Sequence, residues 1–171
     1  SGDRAAIEAV PGVETVLGDL LVALADDPHQ PQQWWLENRG SADASGTVGV
    51  AGADVKAAAG WRVSRGAGVV VAVLDTGVES THPDLIDRMW SNSDEVCGNG
   101  LDDDRNGFVD DCAGWDFGSN DKNPAPDAGA PSSSHGTHVA GIIAASSNGV
   151  GVVGLAPEAT IMPVKLMSTA G

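Results

Sequence analysis

The chain has 171 residues, 42% of them hydrophobic, which is enough for one packed domain and excludes global disorder. Nine Lys and Arg stand against 24 Asp and Glu, a formal charge of −15, and such a surface repels nucleic acid and anionic membrane. No apolar run approaches the ~20 residues that span a bilayer, and the opening SGDRAAIEAV lacks the basic and apolar regions of a signal peptide.

In chain order, AIEAVPG reads as a helix end broken by Pro11 and Gly12, and VETVLGDLLVAL as strand material. The polar, Pro-bearing DDPHQPQQ then marks a boundary between an N-terminal piece, residues 1–26, and a main unit, residues 27–171. Val55 to Trp61 has helix-forming composition. The run from Val69 to Leu74, closed by glycines, predicts a strand buried on both faces of a parallel sheet. Residues 91–134 are rich in Asp, Asn, Gly, Pro and Ser and read as a long loop. HGTHVAGIIAASS, from His135 to about Ser147, suits a buried helix, and ATIMPVKLM a second apolar strand. Strand, loop, helix and strand in this order give an α/β fold, a parallel sheet flanked by helices with right-handed crossovers.

Asp75 ends the first strand and opens a D-T-G. The C-terminal ends of parallel strands are where open α/β sheets hold their sites, although an Asp there also serves to cap a turn. D-T-G also marks aspartic peptidases, which need two such residues where this chain has one. His135 and His138 are three apart at the start of the helix. A zinc H-E-x-x-H would need a Glu and one more residue between them. A helix N-terminus disfavours a cation and so favours neutral imidazole, and a neutral His beside a carboxylate has the makings of a general base.

Cys97 and Cys112 flank 14 residues of acidic loop. An even pair around one loop favours a disulfide and an oxidising compartment, with two free thiols as the alternative; the bridge would contribute roughly 3 kcal/mol by chain entropy. Within the loop, Asp102, Asp104, Asn106, Phe108 (by its carbonyl) and Asp110 follow the first nine positions of an EF-hand-type calcium loop, with Gly107 at the turn. The Glu of the twelfth position is replaced by Ala113, for which Asp110 or Asp111 would substitute. A plain solvated acidic loop is the competing reading.

VVAVLDTGVESTHPDL and HGTHVAGIIAASSNGVGVVGLAPEATIMPVKLM together resemble the aspartate and histidine blocks of the subtilisin-like serine peptidases, the subtilases. The resemblance extends weakly from Asp27 and strongly from Val69 to the end. It implies a three-layer subtilisin-like fold, with Asp75 as the triad aspartate and His135 as the general base. It makes His138 a packed structural residue, with Gly136 and Gly141 admitting close backbone approach. It implies a second calcium site on Asp27, Asp84, Ser146, Asn148, Val150 and Val152, and a substrate-lining role for Met167. Residues 1–26 then correspond to the C-terminal part of an inhibitor-type propeptide, with a simple edge strand as the alternative. Residues 27–171 correspond to the N-terminal portion of the peptidase domain, with 91–134 as an acidic insertion.

The family's serine block, G-T-S-[MA]-A, does not occur in these residues, and Ser132, Ser133 and Ser134 lack its context. The expectation is a piece of a secreted, calcium-dependent serine endopeptidase acting on peptides or proteins and inhibited by its own propeptide, inert on its own. Its rivals are a non-catalytic calcium-binding module and, less favoured, an aspartic peptidase built on Asp75.

Overall fold

The computed structural model describes residues 27–42, 45–129 and 133–167. The N-terminal piece, residues 1–26, with its strand and propeptide readings, lies outside the described residues, as does Ser132. Three strands and two helices follow one another: α1 (Ala57–Trp61), β1 (Val70–Asp75), β2 (Trp115–Asp116), α2 (His135–Ala144) and β3 (Thr160–Lys165). Single 3-10 turns occupy Gln30–Gln32 and Ile86–Arg88.

The strands form one parallel sheet in the order β1-β3-β2. β1 is a β-branched run that pairs along its whole length with β3, from Val70 opposite Thr160 to Asp75 opposite Lys165. β3 is central yet contains Pro163, which has no N–H to give. The N–H groups of Thr160 and Leu166 donate to Val69 and Asp75, so even-numbered residues serve the β1 side. Pro163 therefore lacks its donor toward the other side, where β2 begins pairing only at Val164.

α2 lies in the connection from β2 to β3 and packs on β1 and β3, on one face of the sheet. Gly136, Ala140 and Ala144, spaced by four, are its buried residues. Ala140 and Ala144 pack with Val73, Val78, Leu85, Ala159 and Ile161 to form the main core. A smaller cluster of Leu36, Ala57 and Val153, with Trp61 against it, holds α1 to the body. The expectation that β1 is buried on both faces fails for one face. Val73 is buried and Val71 half-buried beneath α2, whereas Val70, Ala72 and Leu74 are exposed, and no element among the described residues covers them. The long loop is also less featureless than expected, since it contributes β2.

Candidate active site and cation sites

β1 and α2 bring Asp75 and His135 together across 60 residues of chain. The imidazole Nδ1 of His135 lies 2.8 Å from both carboxylate oxygens of Asp75. Thr76 builds the corner between them. Its N–H donates to Asp75 Oδ1 at 2.7 Å, and its Oγ1 accepts the N–H of Gly136 at 3.1 Å. The start of the helix is thereby tied to the end of the strand. Gly136 is obligatory at this crossing, because a Cβ there would stand 2.3 Å from the carbonyl oxygen of Gly77.

Desolvation pushes the Asp75 pKa upward. The hydrogen bonds from Thr76 and His135 outweigh it, and the net value is below the ordinary carboxylate range. An ionised Asp75 accepts, so Nδ1 carries the proton and Nε2 is left as the basic nitrogen. The imidazole is well exposed (62%), so Nε2 is accessible to a reacting group. This is the arrangement of a general base with its orienting carboxylate.

His138 is exposed, which corrects the expectation of a packed residue. The helix buries the 136, 140, 144 face, and position 138 lies roughly 200° round from 136 at about 100° per residue. Gly141 is likewise corrected: a Cβ there would meet nothing within 4 Å. Ser133 and Ser134 form the turn into α2, and no hydrogen bond joins either side chain to His135. Met167 is exposed just beyond β3.

Cys97 and Cys112 are joined in a disulfide, with Cα atoms 5.9 Å apart. The loop that they close brings together a set of oxygens different from the one expected. Carboxylate oxygens of Glu95, Asp104 and Asp111 lie within 4.8 Å of one another. The amide nitrogen of Asn92 bridges Asp104 (2.9 Å) and Asp111 (2.8 Å), and that of Asn106 bridges the same pair at 3.0 and 2.9 Å. Asp110 is not among these three carboxylates. It sits at a left-handed φ of 56°, and its carboxylate takes the N–H groups of Gly98 and Asn99 and the ammonium of Lys122 at 2.7 Å. The Lys122 bond holds the Asp110 carboxyl below its ordinary pKa against desolvation. The Asp102 carboxylate accepts the N–H groups of Asn106 and Gly107. The Phe108 ring meets Trp115 at a tilt and Phe117 edge to face. Of the expected side-chain ligands, Asp104 belongs to this cluster, and Asn106 faces it with its amide nitrogen. The missing member is Glu95, which lies outside the nine-residue pattern and whose carboxylate is held by the N–H groups of Asp103, Asp104 and Asp110.

A second oxygen cluster is built by Asp27, Asp84 and the loop after α2. Asp27 is fully buried, and its Oδ1 accepts the N–H groups of Asn148 (3.0 Å), Gly149 (2.8 Å) and Val150 (3.2 Å). Asp84 Oδ2 accepts the N–H of Val152 at 3.1 Å. Ser146 donates its N–H to the Asp84 carbonyl, and its Oγ accepts from Arg88. The other carboxylate oxygens, Asp27 Oδ2 and Asp84 Oδ1, are buried without any partner. Leaving such an oxygen unsatisfied costs about 1–3 kcal/mol or more, so two in one region fit a hard cation with oxygen ligands. Gly151, at φ 57°, leaves the room: a Cβ there would lie 2.2 Å from Asp84 Oδ2.

A buried ion cluster at the C-terminal end of the sheet is marked by no motif. Lys165 Nζ binds Asp116 at 2.9 Å and Asp127 at 2.5 Å. Elsewhere, a cavity of about 740 Å³ lined by Pro31, Trp34, Asn38 and Val50 shares no residue with the Asp75–His135 corner.

Residues 66–171 match the model of the subtilase family, peptidase family S8. Thermitase of Thermoactinomyces vulgaris is 34% identical over 118 residues, covering 68% of this chain and 33% of that enzyme. The extracellular serine protease of Aeromonas sobria is 35% identical over 145 residues, 82% of this chain and 19% of the protease. Its crystal structure in complex with the chaperone ORF2 superposes with a TM-score of 0.62 at 32% identity, over 85% of this chain and 21% of that one. An intracellular serine protease of Paenibacillus polymyxa is 38% identical over 117 residues, 68% of this chain and 29% of the protease. The chain thus spans about a third or less of the length of these curated relatives.

Proposed function

The chain belongs to the subtilase family of serine peptidases, and from that premise we propose that residues 27–171 supply the base and its orienting carboxylate to a secreted, calcium-dependent endopeptidase. The observation that carries this reading is the 2.8 Å contact between His135 Nδ1 and Asp75, with Nε2 open to solvent. In the reaction His135 takes the proton of a serine hydroxyl as that oxygen attacks a peptide carbonyl, then returns it to the leaving amine. Asp75 holds the tautomer and stabilises the imidazolium that forms. The serine is not among these 171 residues, and the chain alone is inert. Residues 1–26 serve as the end of a propeptide, and Met167, exposed after β3, lines the path of a peptide substrate.

Calcium fits both oxygen clusters. Asp27 and Asp84, with the 146–152 loop, would hold one ion, and Glu95, Asp104 and Asp111 another. At the second cluster the amide oxygens of Asn92 and Asn106 accept the N–H groups of Asp94 and Phe108, so the carboxylates of Glu95, Asp104 and Asp111 would be the ligands. A bound ion would supply structural charge compensation rather than chemistry. The disulfide favours an oxidising compartment, in line with the extracellular Aeromonas relative. That protease's complex with a chaperone suggests that the protein partner here is either its own propeptide or a separate chaperone.

A non-catalytic calcium-binding module would use the same oxygen clusters but has no need of the Asp75–His135 corner. The two are separated by activity. The chain alone should neither hydrolyse a generic peptide nor react with a serine-directed phosphonate, and hydrolysis should appear when a serine-bearing segment of the family is supplied. Turnover by the chain alone, lost in His135→Ala, would contradict its inertness. No turnover with any serine-bearing segment that demonstrably binds the chain would favour the module.

A further inference from the structure

Lys165 is 2% exposed, and the catalytic reading gives it no task. It ends β3, with Asp75 of β1 as its register partner on one side and Asp116 of β2 on the other. Register partners in a sheet project to the same face. A row of carboxylate, ammonium and carboxylate therefore crosses the C-terminal edge of the sheet on the α2 side. The Lys165 ammonium binds Asp116, itself buried, and Asp127. Asp116 is further fixed by the N–H groups of Gly118 and Ser119.

Asp127 closes the segment that runs over the turn after Asp75. The carbonyl of Pro124 accepts the N–H of Val78 at 3.2 Å, and a Cβ on Gly77 would stand 2.6 Å from that same oxygen. That turn begins with Thr76, which donates to Asp75 and accepts from Gly136, the residue after His135. A path thus runs from Lys165 to Asp127, along the chain to Pro124, and through its contacts with the 76–78 turn to both members of the pair.

We propose that Lys165 is a positioning residue for the Asp75–His135 pair, acting as a buckle that holds the 124–127 segment down on the turn joining them. The proposal rests on the reading of Asp75 and His135 as the catalytic pair. It assigns Lys165 no contact with substrate.

The test follows the Asp75 carboxyl by 13C NMR in the whole chain, comparing wild type with Asp127→Asn, Lys165→Met and the double variant. Removing the negative charge of Asp127 would, by electrostatics alone, make Asp75 easier to ionise. Loosening the turn would instead weaken the bonds from Thr76 and His135 that hold its titration low. The two effects have opposite signs. Asp127→Asn should raise the Asp75 midpoint, by about threefold in proton concentration or more. Lys165→Met should raise it further, and the double variant should add nothing to Lys165→Met, as two links of one chain require. A fall or no change in Asp127→Asn overturns the proposal, as does full additivity in the double variant. Should Lys165→Met not fold, Asp127→Asn decides alone, since Asp127 is more than a third exposed and its loss is the milder change. In His135→Ala the midpoint must rise in any case. If it does not, the catalytic pair itself fails, which is a separate outcome.

Discussion

The Asp75–His135 corner and the acidic loop between Cys97 and Cys112 are built on different principles. In the corner two regular elements meet, and a strand end and a helix start are joined by one threonine and one glycine. In the loop almost every side-chain oxygen is spent on a nearby backbone N–H or amide, and a disulfide closes the circuit. The corner has a fixed geometry with one basic nitrogen left open. The loop has surplus negative charge held at close range. One arrangement suits proton transfer and the other suits a cation.

The comparison can be broken from the loop side first. Replacing Cys97 and Cys112 by Ser should cost about 3 kcal/mol for a loop of this length, read from urea unfolding. It should scatter the Glu95, Asp104 and Asp111 oxygens while leaving the Asp75 titration unmoved; a shift at Asp75 would mean that the two regions are one unit. Calcium should raise stability by about 2.7 kcal/mol at a hundredfold excess over Kd for each site filled. Asp27→Asn with Asp84→Asn should remove one such increment, and Asp104→Asn with Asp111→Asn the other, in thermal shift and terbium titration. Loss of both increments in either double variant would merge the two sites.

The corner is tested by glycine. Gly136→Ala drives a Cβ into the Gly77 carbonyl and should cost about 1–3 kcal/mol and shift the His135 resonances. Gly141→Ala meets open space and should gain up to about 1 kcal/mol of helix stability. Equal costs at the two positions would remove the close crossing from the account. The smallest effect concerns pH. Asp75, Asp104, Asp110 and Asp116 all have pKa values below the ordinary carboxylate range in the fold. Their contribution is complete above the unfolded value of about 3.9 and is lost as pH falls through the lower folded values. Urea midpoints should be flat above that range and fall below it, and Asp75→Asn should flatten part of the fall.

The sequence makes the corner legible because its residues sit in two short blocks whose spacing fixes a strand end and a helix start. The parallel sheet is legible for the same reason: Val69 to Leu74 is a β-branched run of strand length. What escaped depends on partners distant in the chain. Glu95 lies outside the nine-residue pattern and joins Asp104 and Asp111 through the folding of the loop. Asp110 matches the pattern and is drawn off by a left-handed backbone and Lys122. β2 has only two residues, too few for any period. Lys165 and Asp116 become neighbours only once β3 lies between β1 and β2. Whether Val70 and Leu74 are covered is not written in their own residue types, which are equally apolar on either face.

The central claim, that Asp75 orients His135 as a base, is tested most directly by 15N NMR of the neutral His135 imidazole. The account expects the proton on Nδ1 in the wild-type chain, with Nε2 unprotonated, and loss of that tautomer preference in Asp75→Ala. A proton on Nε2 in the wild type, or a tautomer indifferent to Asp75, would contradict it.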